Sequence, residues 1–426
     1  MAVNPWLTSN DLINAVKRRI SFPVYQSTFT DQEILNFAND VVKEELLPNI
    51  LQYHEEFLVV ASSVTIEENR SEYPVPNRAI GMKLRDILYA DGNTTPALPY
   101  GQIFEMTRVN ADDKTWFQSI SISNQTPFRY YFQNNNIVLI PSITDNPTGL
   151  VVMYWHIRPN QLVEETRAFT INGFSKTVTV TNASIIPGDT VTLSIVNGQV
   201  STPTIFEAVL AAPTGNQFLI GATSSATATN LVTAINNAGI DFSATNGNPA
   251  TNTVKVLFSN RPNTVESSNS AAFLVQTTLG LESLSTVPSN MTSGTYVDLL
   301  QTLPGHRIVN YDILLNTASI SGTTLNLPED SVPADFVVGD YVCSRNECII
   351  PFMPPELHSS LVQRTCSRIL EAIGDKEGMA ISDSKVEKLN RTEGNLIDVR
   401  DDGSPQKVLA RHSILRYQGF TDRRRY

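Results

Sequence analysis

Three cysteines, five histidines and several pairs of adjacent carboxylates are the residues of this 426-residue chain whose types could do chemistry. Cys343 and Cys348 could present two thiolates to a zinc ion. A tetrahedral site needs two further ligands, for which only His358 and Cys366 are near in sequence. Buried, unreactive thiols satisfy the same spacing, and no metal or cofactor is expected. His54-Glu55-Glu56 begins like a His-Glu-x-x-His zinc helix but lacks the second histidine, so it reads as a polar stretch before a strand. His54, His156, His306, His358 and His412 are scattered without metal spacing and read as structural or surface residues. Glu67-Glu68, Asp112-Asp113, Glu164-Glu165 and Asp401-Asp402 place carboxylates side by side. Neighbours on a strand point to opposite faces, however, whereas a glycosidase needs two acids across one cleft. These pairs read as solvated turns and caps.

The sequence has no Gly-x-x-x-x-Gly-Lys-Ser/Thr phosphate loop and no Gly-x-Ser-x-Gly nucleophile elbow, and no enzymatic activity is expected. One chemical feature stands apart. Arg411, His412, Arg416, Tyr417, Phe420, Arg423, Arg424, Arg425 and Tyr426 gather basic and aromatic groups after Gly403-Ser404-Pro405. Arginine makes charge-assisted hydrogen bonds with carboxylates and aromatic rings fill apolar pockets, so residues 401–426 read as an arm that docks on an acidic partner. Phosphate is the rival target, and a frayed solvated terminus is the structural alternative.

The rest of the chain is acidic. Thirty-one Lys plus Arg against 42 Asp plus Glu leave a net charge of −11, so the molecule as a whole repels phosphate backbones. Hydrophobic residues at 41% and charged residues at 17% can enclose sizeable cores, at a prior of about 150 residues per domain. No basic and apolar secretory leader is found, and no apolar run reaches the length of a membrane span, so synthesis in a cytoplasm with reduced thiols is expected.

The elements that must position these residues fall into a pattern of α+β type. Ser9, Asn10 or Asp11 can cap a helix carrying Leu12, Ile13 and Val16, and Pro23 closes it. Thr30 and Glu33 form a capping box for a second helix with Ile34, Phe37, Ala38 and Val41 on one face, and Pro48 marks its end or a kink. Strands follow at 57–66, 82–90, 128–132, 137–140 and 150–157, the third and fourth joined by an asparagine-rich hairpin turn. From 169 to 295 only eight charged side chains occur and Tyr, Trp, His and Cys vanish, which reads as a separate inserted β-rich module with one helix at 226–238. Strands at 307–316, 323–327 and 341–351 resume the first style. Two helices close the chain, one carrying Leu357, Leu361, Thr365, Ile369 and Ile373 up to Gly374, the other carrying Met379, Val386 and Leu389.

The phrases Asp11 to Arg19, Phe29 to Asn39, Arg78 to Asp86, Phe104 to Arg108, Tyr154 to Asn160 and Pro355 to His358 resemble head-to-tail adaptor, or ring, proteins of short-tailed bacteriophages, including crAss-like phages. The resemblance covers about 1–168 and 296–410. It implies terminal helices packed as a bundle (1–56 and 353–400) and a β domain in two parts (57–168 and 296–352). The module at 169–295 and the arm at 401–426 would be additions. It further implies a structural virion protein at the head-tail connector: a homo-oligomeric ring, commonly of twelve copies, below a portal and above tail or further ring proteins. Double-stranded DNA would pass through without sequence-specific binding, and no membrane is involved. The arm residues Arg411, Arg416, Tyr417, Phe420 and Arg423 to Tyr426 would then dock on the portal or a neighbouring subunit. The runner-up is a phage tail protein that binds a carbohydrate or cell-surface receptor through the β-rich module. The module's aromatic residues are all phenylalanines, seven of them, better explained as core than as glycan platforms.

Overall fold

The computed structural model describes residues 7–20, 29–67, 70–90, 103–110, 129–140, 149–197, 200–246, 252–261, 263–303 and 305–397. The fold is α+β, with helices towards both ends and mainly antiparallel sheets between them. Two compact units divide the chain: residues 1–41 with 159–379, and residues 42–158 with 380–426.

Helix α1 (Ser9–Arg19) starts one residue earlier than expected, because Thr8 is the cap and shares a capping box with Asp11. Thr30 and Glu33 cap α2 (Asp31–Val41) as expected, Thr30 N donating to Glu33 at 2.7 Å and Glu33 N to Thr30 Oγ1 at 3.2 Å. A single π turn over Val42–Leu46 leads into α3 (Leu47–Tyr53), so Pro48 marks an irregularity and not an end. Proline has no N–H to donate and its ring crowds the carbonyl four residues back. The wider turn relieves that conflict.

In the smaller unit, β1 (Val59–Thr65), β2 (Glu72–Pro74), β3 (Ala79–Ala90), β4 (Ile103–Glu105), β5 (Thr107–Arg108), β6 (Arg129–Gln133), β7 (Asn136–Ile140) and β8 (Leu150–Ile157) form two four-stranded sheets. The order is β1-β8-β3-β4 in one and β2-β7-β6-β5 in the other. Asn134 and Asn135, both at positive φ (49° and 61°), close the expected β6–β7 hairpin, since two left-handed residues match the twist of the flanking strands. On β8, Val151, Met153, Trp155 and Ile157 are buried and the alternate residues half-buried, so this sheet has one covered face.

The larger unit begins with β9 (Gln161–Leu162), β10 (Phe169–Thr170), β11 (Gly173–Val180), β12 (Thr190–Asn197), β13 (Val200–Val209) and β14 (Gln217–Leu219). Helix α4 (Ser224–Asn237), capped by Thr223, falls close to the expected 226–238 and packs against β11, β13 and β14. Next come β15 (Phe242–Asn246), β16 (Thr253–Phe258), β17 (Thr264–Ser267), β18 (Phe273–Val275), β19 (Thr278–Glu282) and β20 (Tyr296–Gln301). The last are β21 (Arg307–Leu314), β22 (Ile320–Ser321), β23 (Thr324–Pro328), β24 (Tyr341–Ser344) and β25 (Glu347–Cys348).

The segment 169–295 does not close on itself, which corrects the expected boundaries. Its main sheet runs β15-β16-β11-β19-β23-β22, pairing Thr278–Glu282 with Thr324–Pro328, and β10 pairs with β24. One core extends from Phe169 to Val342. The strands between 296 and 344 therefore complete the β-rich part, and among the described residues none of them pairs with the sheets of 57–157.

Helix α5 (His358–Ile373) ends at Gly374 in the left-handed region (φ 81°), whose N–H reaches the carbonyls of Leu370 and Glu371. Ile373, expected on the apolar face, is 45% exposed. Helix α6 (Lys376–Ile397) half-buries Met379, Val386 and Leu389.

Candidate functional site

The helices from the two ends of the chain meet in the larger unit. Leu12, Ile13 and Val16 of α1 and Ile34, Leu35, Ala38 and Val41 of α2 are buried, as are Leu361, Val362, Cys366 and Ile369 of α5, against which both helices pack. Polar bonds fix the register of this seam. Ser9 N donates to Ile349 O (2.7 Å), Leu7 N to His358 Nδ1 (3.4 Å), and Arg19 Nη1 to Ser359 O and Gln363 Oε1 (3.2 Å each). Asn39 on α2 clamps β9 with its amide, donating to Leu162 O at 3.0 Å and accepting from Leu162 N at 2.7 Å. A buried amide with both ends satisfied specifies a position that apolar packing alone leaves free to slide.

The histidine and cysteine candidates His306, His358, Cys343 and Cys348 lie in the same unit as the seam. His306 hydrogen-bonds Tyr341 through Nε2, its ring stacked on the tyrosine at 5.8 Å, while Phe352 packs edge-on at 5.6 Å. Burial, reinforced by His358, lowers the His306 pKa to about 3, and burial lowers His358 to about 4. Burial with Cys348 and Cys343 alongside pushes the Tyr341 hydroxyl well above its usual value, and burial does the same to the Cys343 thiol. At neutral pH the imidazoles are uncharged and that thiol keeps its proton. These groups are packed interior and are neither charged acids nor activated nucleophiles. All three cysteines are buried and unpaired with one another. Among the described residues, no three His, Cys, Asp or Glu side chains converge as a metal site.

Sequence reasoning missed a buried carboxylate, because its partners are distant in the chain. Asp298, fully buried on β20, accepts from Asn160 Nδ2, Asp312 N and Asn346 N, each at 3.1 Å. Asp312 sits at a positive φ of 57°, where the β20–β21 register shifts, and pairs with Arg345 Nε at 2.8 Å. The irregular backbone turns the Asp312 N–H towards the carboxylate, a structural use of local strain.

The remaining candidates are placed as follows. His54 lies between α3 and a 3-10 turn over Glu55–Leu58, and His156 on β8 has Nε2 3.6 Å from Glu55. Glu67 pairs with Arg70 at 2.9 Å, and Glu164 precedes a short 3-10 turn that starts at Glu165. Glu68, Asp112, Asp113, Asp401, Asp402 and His412 lie outside the described residues, and so do Arg411, Arg416, Tyr417, Phe420, Arg423, Arg424, Arg425 and Tyr426.

Surface grooves are also present among the described residues. One, of about 610 Å³ on the open face of the β1-β8-β3-β4 sheet, is lined by Glu56, Val59, Arg85, Asp86, Leu88, Glu105 and Tyr154. Another, of about 650 Å³ beside β18 and β23, is lined by hydroxyl, amide and aliphatic groups, Thr177, Leu274, Gln276, Asn316 and Asn326 among them, with no aromatic ring among the described lining residues.

No family model matches the chain, and no curated protein matches it. A solved structure similar to it is that of the flagellar cap protein FliD, domains D1-D2-D3, from Escherichia coli. It is 9% identical over 88% of this chain and 74% of that chain, with a TM-score of 0.16, a value that assigns neither fold nor function.

Proposed function

We propose that this chain is a structural connector subunit of a virion, forming a head-to-tail adaptor ring below a portal and lining part of the DNA path. The observation that carries the reading is the helical seam. Helices from the two ends of the chain pack on one another in the larger unit, a pairing that the resemblance to ring proteins implies. The net charge of −11 supports it further, because an acidic conduit does not hold the phosphates that slide past. A ring of identical copies uses two different faces of each subunit and closes by rotation. Electron microscopy and light scattering of the purified chain, alone and mixed with a portal ring, test this. Rings of uniform diameter are expected; monomers that persist in the presence of the portal sink the reading.

The neutral groove beside β18 and β23 favours a second reading, a tail protein that takes an uncharged glycan through its β-rich part. Titration with neutral oligosaccharides separates the two, since a ring subunit gives no saturable heat.

A further inference from the structure

The open face of the β1-β8-β3-β4 sheet carries a cluster of acids. Glu56, Asp86 and Glu105 line its groove, and Glu55 stands beside it. Among the described lining residues the cation that faces them is Arg85, whose guanidinium lies 3.8 Å from Glu55, 3.5 Å from Glu56 and 3.6 Å from Asp86, spread over three carboxylates and bidentate to none, while Arg108 acts with Asp86 and Glu105 on the nearby Tyr130. Asp86 is 53% exposed at its side chain and Glu56 56%, so their charges point into solvent. The floor between them is apolar and aromatic, made by Val59, Leu88 and Tyr154. Such a surface matches a ligand that brings several cations and an aromatic ring together.

This chain contains such a ligand. Residues 411–426 hold Arg411, Arg416, Arg423, Arg424 and Arg425 with Tyr417, Phe420 and Tyr426, against one acid, Asp422. We propose that this segment occupies the acidic groove of its own chain, arginines on the carboxylates and an aromatic ring on the Leu88–Tyr154 floor. Tether length favours the chain's own segment over that of a second copy. The described chain ends at Ile397 on α6, which from Ala380 onward belongs to the same compact unit as the groove. About 13 residues lie between Ile397 and Arg411, a tether that spans at most about 45 Å and holds its end at an effective concentration on the order of millimolar. A second copy at micromolar concentration competes poorly with that. In the free protein the segment is masked in its own groove, and any partner that uses it must first displace it. This inference goes beyond the ring reading and does not rest on it.

A fluorescein-labelled peptide of residues 407–426, titrated into the full chain and followed by anisotropy, tests the proposal. The wild-type chain should take up the peptide about tenfold more weakly than an R423E/R424E/R425E chain, whose groove is vacated by repulsion. Adding D86K/E105K to that chain should abolish uptake. D86N/E105Q, which removes charge without reversing it, should weaken uptake to an intermediate degree. Circular dichroism of each variant verifies the fold, which exposed substitutions should leave intact. Equal uptake by the wild-type and triple-arginine chains overturns the proposal, as does uptake that survives D86K/E105K. A wild-type chain whose sedimenting mass rises with concentration, and falls on R423E/R424E/R425E, assigns the groove to a second copy's segment and overturns occupancy in cis.

Discussion

The β-rich part of the larger unit and the β1-β8-β3-β4 sheet of the smaller one are built from the same strand chemistry but place charge in opposite ways. In the first, the three basic residues between 169 and 295 all turn inward. Lys176 pairs with Glu329, Lys255 with Glu282 at 2.8 Å, and Arg261 donates to Glu329 O at 3.0 Å and Val332 O at 3.1 Å. Glu282 also accepts from Ser175 Oγ and Thr324 Oγ1, bridging three strands. Gly280 leaves the space in which the Ser175 hydroxyl sits. In the second, Glu56, Asp86 and Glu105 face outward over an apolar floor. Where packing covers both sides of a strand, a charge survives only with its partners in place; where one side is open, charge is left available to whatever docks there.

The comparison is tested most severely at the covered core. Phe174, fully buried and stacked on Phe258 at 6.1 Å, should cost about 3–5 kcal/mol when changed to Ala, read as a fall in the urea midpoint. Tyr154→Ala, on the half-covered face, should cost well under half as much. A smaller effect is expected from Glu282→Gln, which leaves Lys255 beside a neutral amide and should cost about 2–3 kcal/mol; Asp86→Asn should change stability by less than about 0.5 kcal/mol. Equal effects at Glu282 and Asp86 would erase the distinction drawn here.

Acid adds a third test. His306 and His358 titrate near about 3 and about 4 in the folded chain, below the ordinary histidine value of 6.5. The unfolded chain therefore binds protons that the folded chain refuses, and stability falls as pH drops below 6.5, until about 4 for His358 and about 3 for His306. Within its window each group removes up to about 1.4 kcal/mol per pH unit. Urea midpoints between pH 7 and 4 should show this, and His306→Phe should reduce the slope. The smallest effect belongs to the hairpin: Asn135→Ala, at φ 61°, should cost about 1 kcal/mol, because alanine resists the left-handed region.

Much of this was legible where the signal is local. The Thr30–Glu33 box, the Asn134-Asn135 turn and the Gly374 stop each act over three or four residues, and each appears where the sequence puts it. Thr8 was harder to read because four consecutive residues, Thr8 to Asp11, can all cap, and the choice rests on Asp11 returning the bond. Ile373 follows the apolar spacing of α5 yet lies in its last turn, where the face is no longer covered. The boundary at 295 failed for a different reason. Charge poverty is a property of a stretch of sequence, whereas sheet membership was decided by Leu279 and Leu281 pairing with Leu327 and Leu325 more than forty residues on, and by Glu329 answering Lys176 and Arg261. The acidic groove was hidden likewise, since Glu56, Asp86, Glu105 and Tyr154 come from four separate elements.

Strand β11 has a mechanical consequence. It is bonded on one edge to β16 over six residue pairs and on the other to both β18 and β19. In an antiparallel ladder the hydrogen bonds run perpendicular to the strands, so tension along β11 shears both edges at once, whereas tension across it would open the bonds one after another. Pulled lengthwise, β11 acts as a clamp that yields only when both ladders rupture together. Its lifetime under load is then governed by the unfolding rate and not by the equilibrium stability.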